Sequence, residues 1–279
     1  MKPAHKLVLS LLTSLSLAAA LLASAAADDQ AGDSALTAAI CPIVYRLDES
    51  PSARGYHYTF YGNAFFINEQ GYLLTAAHVL DTFRDGGQPS ILLTRPNSPP
   101  QLLQLTIIAK DAEHDIAILR ATPNPFTSHY RVACLPLATD PTVGQSVLAL
   151  SLHPVHLRSA QSFQMPGEDR SPGEVLSYES TQLEKSAPAA QVFLLSHPVS
   201  LGQSGSPVLA ADSHGVVGLV EGRWLRSSVA LLARSTGPRA DTPGAAIPIR
   251  YAIALLDQKG VSWHAVAHSS ADSDPAAKP

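Results

Sequence analysis

The chain has 279 residues, of which 46% are hydrophobic and 15% are charged, with a formal net charge of −4. A chain of this length can bury a sizeable core in one or two domains, and without a basic run a nucleic-acid partner is not expected. The 22 prolines and 17 glycines are spread along the chain, which favours many turns and short strands over long helices.

Residues 1–27 have the pattern of a signal peptide. Two lysines precede an apolar stretch over residues 7–22, and Ala25–Ala27 supply small residues before Asp28. This pattern predicts cleavage, with an uncleaved membrane anchor as the alternative. Because no later apolar run is long enough to span a bilayer, we expect an exported protein, periplasmic or secreted, with no stable membrane anchor after cleavage.

The first half of the mature chain alternates apolar runs with turn signals. Residues 28–39 are small and polar, and they predict a flexible lead-in. The segment "GNAFFINEQGYLLT" predicts a hairpin with strands Ala64–Ile67 and Tyr72–Thr75. Further strands are predicted in "SILLT", "LLQLTIIA" and "DIAILRA". Repeated short strands of this kind are typical of an all-β sandwich or a pair of barrels.

A second set of strands is predicted after a join at Pro141–Gly144. These strands lie in "QSVLALSL", "GEVLSYES", "AQVFLLSHP", "SPVLAA" and "GVVGLVEG". The segment from residue 153 to residue 173 is polar and contains prolines, which predicts a long loop.

One segment, "IRYAIALLDQKG", predicts a helix near the end of the chain. Tyr251, Ala254 and Leu255 would share its apolar face, and Gly260 would end it. Residues 266–279 are polar and predict a disordered tail.

Three motifs contain the residue types that together activate a hydroxyl group. His78 follows a strand in "LLTAAHVL", Asp115 precedes a strand in "AEHDIAIL", and Ser204 lies beside glycines in "LGQSGSPVL". Alone, each residue would usually be structural. Together they provide a nucleophile, a base and a carboxylate that orients the base.

In this order, "TAAHV", "DIAIL" and "GQSGSPV" resemble the motifs of chymotrypsin-like (trypsin-like) serine proteases. "YGNAFFINEQGYLLTAAHV", "SPGEVLS" and "GAAIPIRYAIALLDQ" are closest to the bacterial HtrA-like branch. The resemblance implies an all-β fold of two six-stranded antiparallel β-barrels with a C-terminal helix. Residues 40–140 would form the first barrel, and residues 141–265 the second barrel with the helix.

The resemblance also implies a site and a reaction. His78 would be the general base, Asp115 would orient it, and Ser204 would attack the peptide bond and form an acyl-enzyme. The backbone N–H groups of Gly202 and Ser204 would form the oxyanion hole. The expected function is a serine endopeptidase that acts on unfolded or exposed segments of protein or peptide substrates without a cofactor.

Two features depart from the pattern of the family. Gln203 stands where digestive members carry an aspartate that pairs with a newly cut N-terminus, so that activation switch is not expected. The PDZ module usual in the HtrA-like branch is missing after Trp263, so regulation by that module is not expected.

Cys41 and Cys134 are the two cysteines of the chain. An even pair in an oxidising compartment favours one disulfide, with two buried free thiols as the alternative. In the resemblance, Cys134 in "VACLP" corresponds to a cysteine that pairs with an N-terminal cysteine in animal members, and Cys41 is placed to be its partner.

By the same resemblance, the substrate pocket is lined by residues of "HPVSLG" and "LVEGRW". The candidates are Pro198, Val199, Val220, Glu221 and Arg223. The pocket lacks the acid of trypsin-like specificity near Pro198, and Val220 replaces the histidine of glutamate-specific relatives. We expect a small or medium apolar residue before the scissile bond, with Glu221 and Arg223 either at the rim or facing water.

No metal site is predicted, because the histidines show neither HExxH spacing nor a cysteine cluster. His153 and His156 are interpreted as surface residues of a loop. Two other functions stay open: a catalytically inactive relative that binds peptides like a chaperone, and an esterase on the same fold. Turnover separates the first from a protease, and the ratio of ester to peptide hydrolysis separates the second. The oligomeric state is not predicted.

Overall fold

The computed structural model describes residues 36–47, 57–83, 88–95, 98–128, 130, 132–153, 167–184, 186–224 and 242–266. The predicted signal peptide lies outside these residues, as does the predicted tail beyond Val266. None of the helices in the described part of the chain is long and apolar enough to cross a membrane.

The first six strands form one closed antiparallel barrel in the order β1-β2-β3-β6-β5-β4. Their bounds are β1 Ile40–Leu47, β2 His57–Phe66, β3 Tyr72–Ala76, β4 Ser90–Arg95, β5 Ser98–Asp111 and β6 Ile116–Thr122. The predicted hairpin is present as β2 and β3, where Phe65 pairs with Leu74 and Phe66 with Leu73. A seven-residue 3₁₀ helix, Ala77–Phe83, follows β3 directly.

The last six strands form a second closed antiparallel barrel in the order β10-β11-β12-β9-β8-β7. Their bounds are β7 Ser146–His153, β8 Gly167–Thr181, β9 Ala190–Leu195, β10 Pro207–Ala210, β11 Val216–Arg223 and β12 Gly244–Pro248. The helix α1, Ile249–Lys259, continues from β12 and ends at Gly260, which adopts the left-handed conformation (φ 64°). The predicted fold of two six-stranded barrels with a C-terminal helix is therefore confirmed.

The three largest apolar clusters of the described residues hold the molecule together. One fills the first barrel around Phe66 and a second fills the second barrel around Phe193. The third joins the two barrels and the helix, since Phe65 of β2 and Leu219 of β11 share it with Leu256 of α1. The two barrels are therefore packed against one another through buried side chains.

The structure differs from the sequence prediction in three places. Leu36 and Ala39, in the predicted lead-in, are buried in the third cluster, because apolar side chains are stabilised by burial even in a polar segment. Strand β8 begins within the predicted loop at Gly167, paired with His153 across the ladder. The buried face of α1 contains Ala252 and Leu255, whereas Ala254 is exposed.

The predicted disulfide is wrong: both cysteines are free thiols. The side chain of Cys41 lies inside the first barrel, where burial raises the pKa of its thiol. Cys134 lies in the linker between the barrels, and its Sγ donates to Glu69 Oε1 at 3.4 Å. Burial and the Glu69 carboxylate raise the pKa of the Cys134 thiol to about 11. One thiol therefore points into the core, and the other points to a surface carboxylate.

Candidate active site

His78 and Asp115 are brought together in a paired geometry. His78 lies in the 3₁₀ helix that follows β3, and Asp115 ends the turn before β6. The backbone N–H of His78 donates to Asp115 Oδ1 at 2.7 Å, and Nδ1 of the imidazole lies 2.7 Å from Asp115 Oδ2. One carboxylate therefore fixes both the backbone and the ring of His78, which leaves Nε2 without a bond to Asp115.

The local backbone explains why Asp115 can do this. Asp115 adopts a left-handed conformation (φ 55°), which aspartate tolerates better than most residues. This conformation reverses the chain between β5 and β6, and the Asp115 carbonyl accepts the N–H of Ala77 at 3.0 Å. Its side chain is buried, so its charge acts on His78 through a medium of low dielectric constant.

The pKa of His78 is raised above its usual range. Burial of the ring acts in the opposite direction, but the hydrogen bond and the charge of Asp115 outweigh it. The charges of Glu221 and Asp81 add to the effect of Asp115. The surroundings of His78 thus favour the imidazolium ion that forms when the ring accepts a proton.

Ser204 lies in a turn before β10, between two glycines in left-handed conformations. Gly202 has φ 91° and Gly205 has φ 79°. Gly205 packs against the end of β3, where a Cβ atom would lie only 2.4 Å from the Thr75 hydroxyl oxygen. The Ser204 turn of the second barrel is therefore held against the segment of the first barrel that carries His78.

The Ser204 hydroxyl group donates to the backbone carbonyl of Glu221 at 3.0 Å. The described residues thus contain a joined histidine–aspartate pair and, in the turn that packs against the end of β3, a serine whose hydroxyl group donates to β11. The sequence predicted the three residues of the site, but it could not predict this direction, which depends on one side-chain torsion.

Asn63 positions the Ser204 turn, a role that was not predicted from the sequence. Its backbone N–H donates to the Ser204 carbonyl at 2.9 Å, and its side-chain amide donates to the Gly202 carbonyl at 3.0 Å. Its side-chain oxygen accepts the N–H of Leu152 in β7 at 3.1 Å. A fully buried amide in the apolar run "GNAFF" was the available signal, because such groups need several partners.

Gln203 fixes the same turn from the second barrel. Its Oε1 accepts the N–H of Ser200 at 2.6 Å, while its Nε2 donates to Ser151 Oγ at 3.1 Å and to Asp169 Oδ2 at 2.8 Å. The side chain is buried, so these three bonds compensate the loss of its hydration. A neutral amide thereby holds the turn without a charged chain terminus.

Among residues 202–206, the backbone N–H groups of Gly202 and Ser204 have no acceptor in the described part of the chain. The N–H groups of Gln203, Gly205 and Ser206 donate to carbonyls of the turn or of β11. N–H groups without an acceptor can bind an oxygen atom that develops negative charge.

The five predicted pocket residues occupy different environments. Val199 and Val220 are buried in the apolar cluster of the second barrel, and Pro198 is exposed. Glu221 and Arg223 are half-buried in β11, and Arg223 Nε donates to the Val199 carbonyl at 3.1 Å. Their roles in substrate binding stay predictions.

The family model for the trypsin-like peptidase domain matches residues 62–219. This match spans more than half of the chain and includes His78, Asp115 and Ser204. The chain belongs to the trypsin-like peptidase family. A comparison with curated protein sequences finds no match.

Solved structures of HtrA-type proteases share the fold of this trypsin-like peptidase domain. AlgW with a decapeptide is 16% identical, with a TM-score of 0.58, and the match covers 81% of this chain and 65% of AlgW. AlgW with a tripeptide is 18% identical with a TM-score of 0.55, covering 81% and 61%. Deg5 is 16% identical with a TM-score of 0.55, covering 82% and 93%. At these identities the likeness concerns the fold.

This trypsin-like peptidase domain has a second carboxyl group at the histidine–aspartate pair. Burial raises the pKa of Glu221 to about 7, and the neighbouring charge of Asp115 adds to this rise, whereas the charge of His78 opposes it. Because two carboxylates repel one another in a partly dry site, Glu221 holds a proton at a pH where an exposed glutamate has lost it.

Replacing Glu221 by glutamine is expected to change the pH dependence of stability. The pKa of Glu221 in the folded chain lies above its usual value of 4.5. The wild type therefore loses stability as the pH rises from about 4.5 through 7, and Glu221→Gln does not. At pH 8 the variant should be more stable by about 3 kcal/mol, and the two proteins should be alike near pH 4.

Urea unfolding across this pH range measures the difference. The matched control is Glu184→Gln, which removes an exposed carboxylate and should leave the profile unchanged. NMR titration of His78 adds an independent reading. Its pKa should fall in Glu221→Gln, because one of the charges that raises it is removed. Equal profiles for wild type and Glu221→Gln would show that this carboxyl does not interact with the pair.

Proposed function

We propose that the protein is an exported serine endopeptidase that cleaves peptide bonds in unfolded or exposed protein segments. In this proposal Ser204 is the nucleophile, His78 the general base and Asp115 the residue that orients the base. The N–H groups of Gly202 and Ser204 form the oxyanion hole. The observation that carries the proposal is the double hydrogen bond from His78 to Asp115, at the end of the strand against which the Ser204 turn packs.

The His78–Asp115 pair supports a general base. With the Nδ1 proton directed to Asp115, the other ring nitrogen has a lone pair to accept the Ser204 proton. As the Ser204 oxygen bonds to the substrate carbonyl carbon, the imidazolium forms beside the Asp115 carboxylate that stabilises it. His78 then returns the proton to the leaving amine, and the acyl-enzyme is hydrolysed by water in the reverse order of steps.

The N–H groups of Gly202 and Ser204, which have no acceptor among the described residues, support the proposed oxyanion hole. A donor to the carbonyl oxygen as it becomes an oxyanion can lower the barrier by roughly 3 kcal/mol. Asn63 and Gln203 hold the carbonyls and side chains on either side of these groups, and they would keep the donors in place during the reaction.

In this proposal the Ser204 hydroxyl, which donates to the Glu221 carbonyl at rest, turns toward the imidazole before it attacks the substrate. Side-chain rotations of this kind are fast compared with catalytic turnover.

Specificity is proposed for a small or medium apolar residue before the scissile bond. The candidate pocket contains apolar residues, namely Pro198 and the buried Val199 and Val220. Arg223 Nε donates a hydrogen bond to the Val199 carbonyl. Arg223 therefore fixes the backbone at Val199, and its guanidinium keeps its positive charge. The charges of Asp115 and His78 act on the pKa of Glu221. Glu221 is therefore proposed to influence the protonation of the triad more than to line the pocket.

A cleavage assay tests the proposal. Reduced, unfolded proteins and a peptide library are incubated with the full chain and with Ser204→Ala. The wild type should cut unfolded proteins after small or medium apolar residues. Ser204→Ala should show no cutting above background, because the attacking oxygen is missing. Equal cutting by both proteins, or none by a folded wild type, would contradict the proposal.

The direction of the Ser204 hydroxyl favours one other candidate, an inactive relative that binds peptides. A binder would retain its peptide intact, and Ser204→Ala would bind it with unchanged affinity. An esterase on the same fold would instead hydrolyse esters and leave peptide bonds intact. Mass analysis of products in the same assay separates these outcomes.

A further inference from the structure

Three side chains that ligate metals come together at the edge of the first barrel. Glu69 lies in the β2–β3 turn, Cys134 in the linker between the barrels and His264 in the segment after α1. His264 Nε2 is 2.8 Å from Glu69 Oε2, and Cys134 Sγ is 3.4 Å from Glu69 Oε1. One ligand atom of each residue lies within 4.8 Å of the other two. We propose that Glu69, Cys134 and His264 form a Zn²⁺ site.

The three segments that carry these residues are already fixed to one another by neighbouring hydrogen bonds. The side chain of Asn68 donates to the Ser262 carbonyl at 2.5 Å, which joins the β2–β3 turn to the segment after α1. The N–H of Leu135 donates to the Phe66 carbonyl at 2.9 Å. The N–H of Leu137 donates to the carbonyl of His264 itself at 2.7 Å. Binding an ion therefore requires changes in side chains only.

The chemistry of the three ligands selects zinc. A thiolate, an imidazole and a carboxylate are the ligand types that tetrahedral Zn²⁺ sites use, whereas Ca²⁺ and Mg²⁺ favour oxygen ligands. Tetrahedral bond lengths place the ligand atoms about 3.5 Å apart. Glu69 and His264 are exposed, so they can move by the ångström that closure requires. Water would take the fourth position, and the Cys134 thiol proton would be released on binding.

The ion would join two segments that lie far apart along the chain. Glu69 belongs to the first barrel, and His264 follows helix α1, which packs against both barrels. Because the unfolded chain does not hold these three residues together, zinc should bind the folded state more tightly and raise its melting temperature. The site contains none of the proposed triad, so the test can use the Ser204→Ala protein and is independent of peptidase activity.

Binding of Co²⁺ and Zn²⁺ to the full chain tests the site. Co²⁺ should bind with one equivalent and give a thiolate-to-metal charge-transfer band, and Zn²⁺ should displace it. Cys134→Ser should lose the band. Glu69→Gln and His264→Gln should each weaken Zn²⁺ binding by more than about tenfold. Zn²⁺ should raise the melting temperature of the parent protein, and not that of Cys134→Ser.

His214→Asn is the matched control, because His214 is exposed in a turn with a left-handed backbone that asparagine tolerates. It should bind both metals like the parent protein. The proposal is overturned if Co²⁺ gives no thiolate band, if the band persists in Cys134→Ser, or if His214→Asn weakens Zn²⁺ binding as much as His264→Gln. Circular dichroism of each variant checks that the barrels are intact.

Discussion

Asp115→Asn is expected to reduce peptide hydrolysis by about four orders of magnitude without unfolding the protein. Asparagine tolerates the left-handed backbone of residue 115, and its side-chain oxygen can still accept the N–H of His78. Its NH₂ group then faces Nδ1 and donates to it. This forces the ring proton onto Nε2, where the lone pair for the Ser204 proton is required.

A second histidine–aspartate pair provides the control for this prediction. His114 Nδ1 lies 2.7 Å from Asp111 Oδ2, the same separation as in the His78–Asp115 pair. Asp111→Asn should leave kcat/KM within about twofold, because that pair has no proposed part in the reaction. Equal activity of Asp115→Asn and wild type, with both folded, would remove Asp115 from the mechanism.

Gly205→Ala is expected to destabilise the fold by more than about 4 kcal/mol and to abolish activity. A Cβ atom at residue 205 would lie 2.2 Å from the Asn63 carbonyl oxygen, 2.4 Å from Thr75 Oγ1 and 3.1 Å from the Ala76 nitrogen. Two of these atoms belong to the backbone of strands β2 and β3, so they cannot rotate away. The φ of 79° adds strain to the steric clash.

Two other glycines separate the clash from the strain. Gly144 also has a left-handed φ, at 84°, but a Cβ there would have no atom within 4 Å. Its replacement by alanine should cost about 1 kcal/mol. Gly222 has open space and no left-handed φ, so Gly222→Ala should be nearly neutral. Urea unfolding gives the three values. A Gly205→Ala protein as stable as Gly144→Ala would show that the Ser204 turn is not wedged against the first barrel.

Local patterns were enough to predict the strands and the order of the site residues. Alternation of apolar residues around Asn68–Gly71 identified the first hairpin, and the positions of His78, Asp115 and Ser204 at the ends of apolar runs led to the proposed triad, which stays a prediction. These signals lie within a few neighbouring residues. The resemblance then supplied the closure of the barrels, which depends on pairing between distant strands and cannot be read from local periodicity.

What the sequence could not predict depends on tertiary contacts. The first residues of β8 are polar, and they form a strand because β7 offers backbone partners. A disulfide was predicted from the number of cysteines and from the family resemblance. Neither shows the direction in which the side chains of Cys41 and Cys134 point. Asn63 and Glu221 acquire their roles from residues more than one hundred positions away. The residues next to Asn63 and Glu221 in the sequence do not show which distant residues will contact them.

If His78 activates Ser204, a fluorophosphonate probe should react with the Ser204 hydroxyl. The position of the covalent label on the protein shows whether this activation occurs. The native full chain is treated with the probe, digested and analysed by mass spectrometry, beside His78→Ala and Ser204→Ala. Activation by His78 should give the wild type a single phosphonyl adduct on the Ser204 oxygen, and both variants should lack this adduct. A folded wild type that carries no adduct, or carries it with equal yield in His78→Ala, would contradict it.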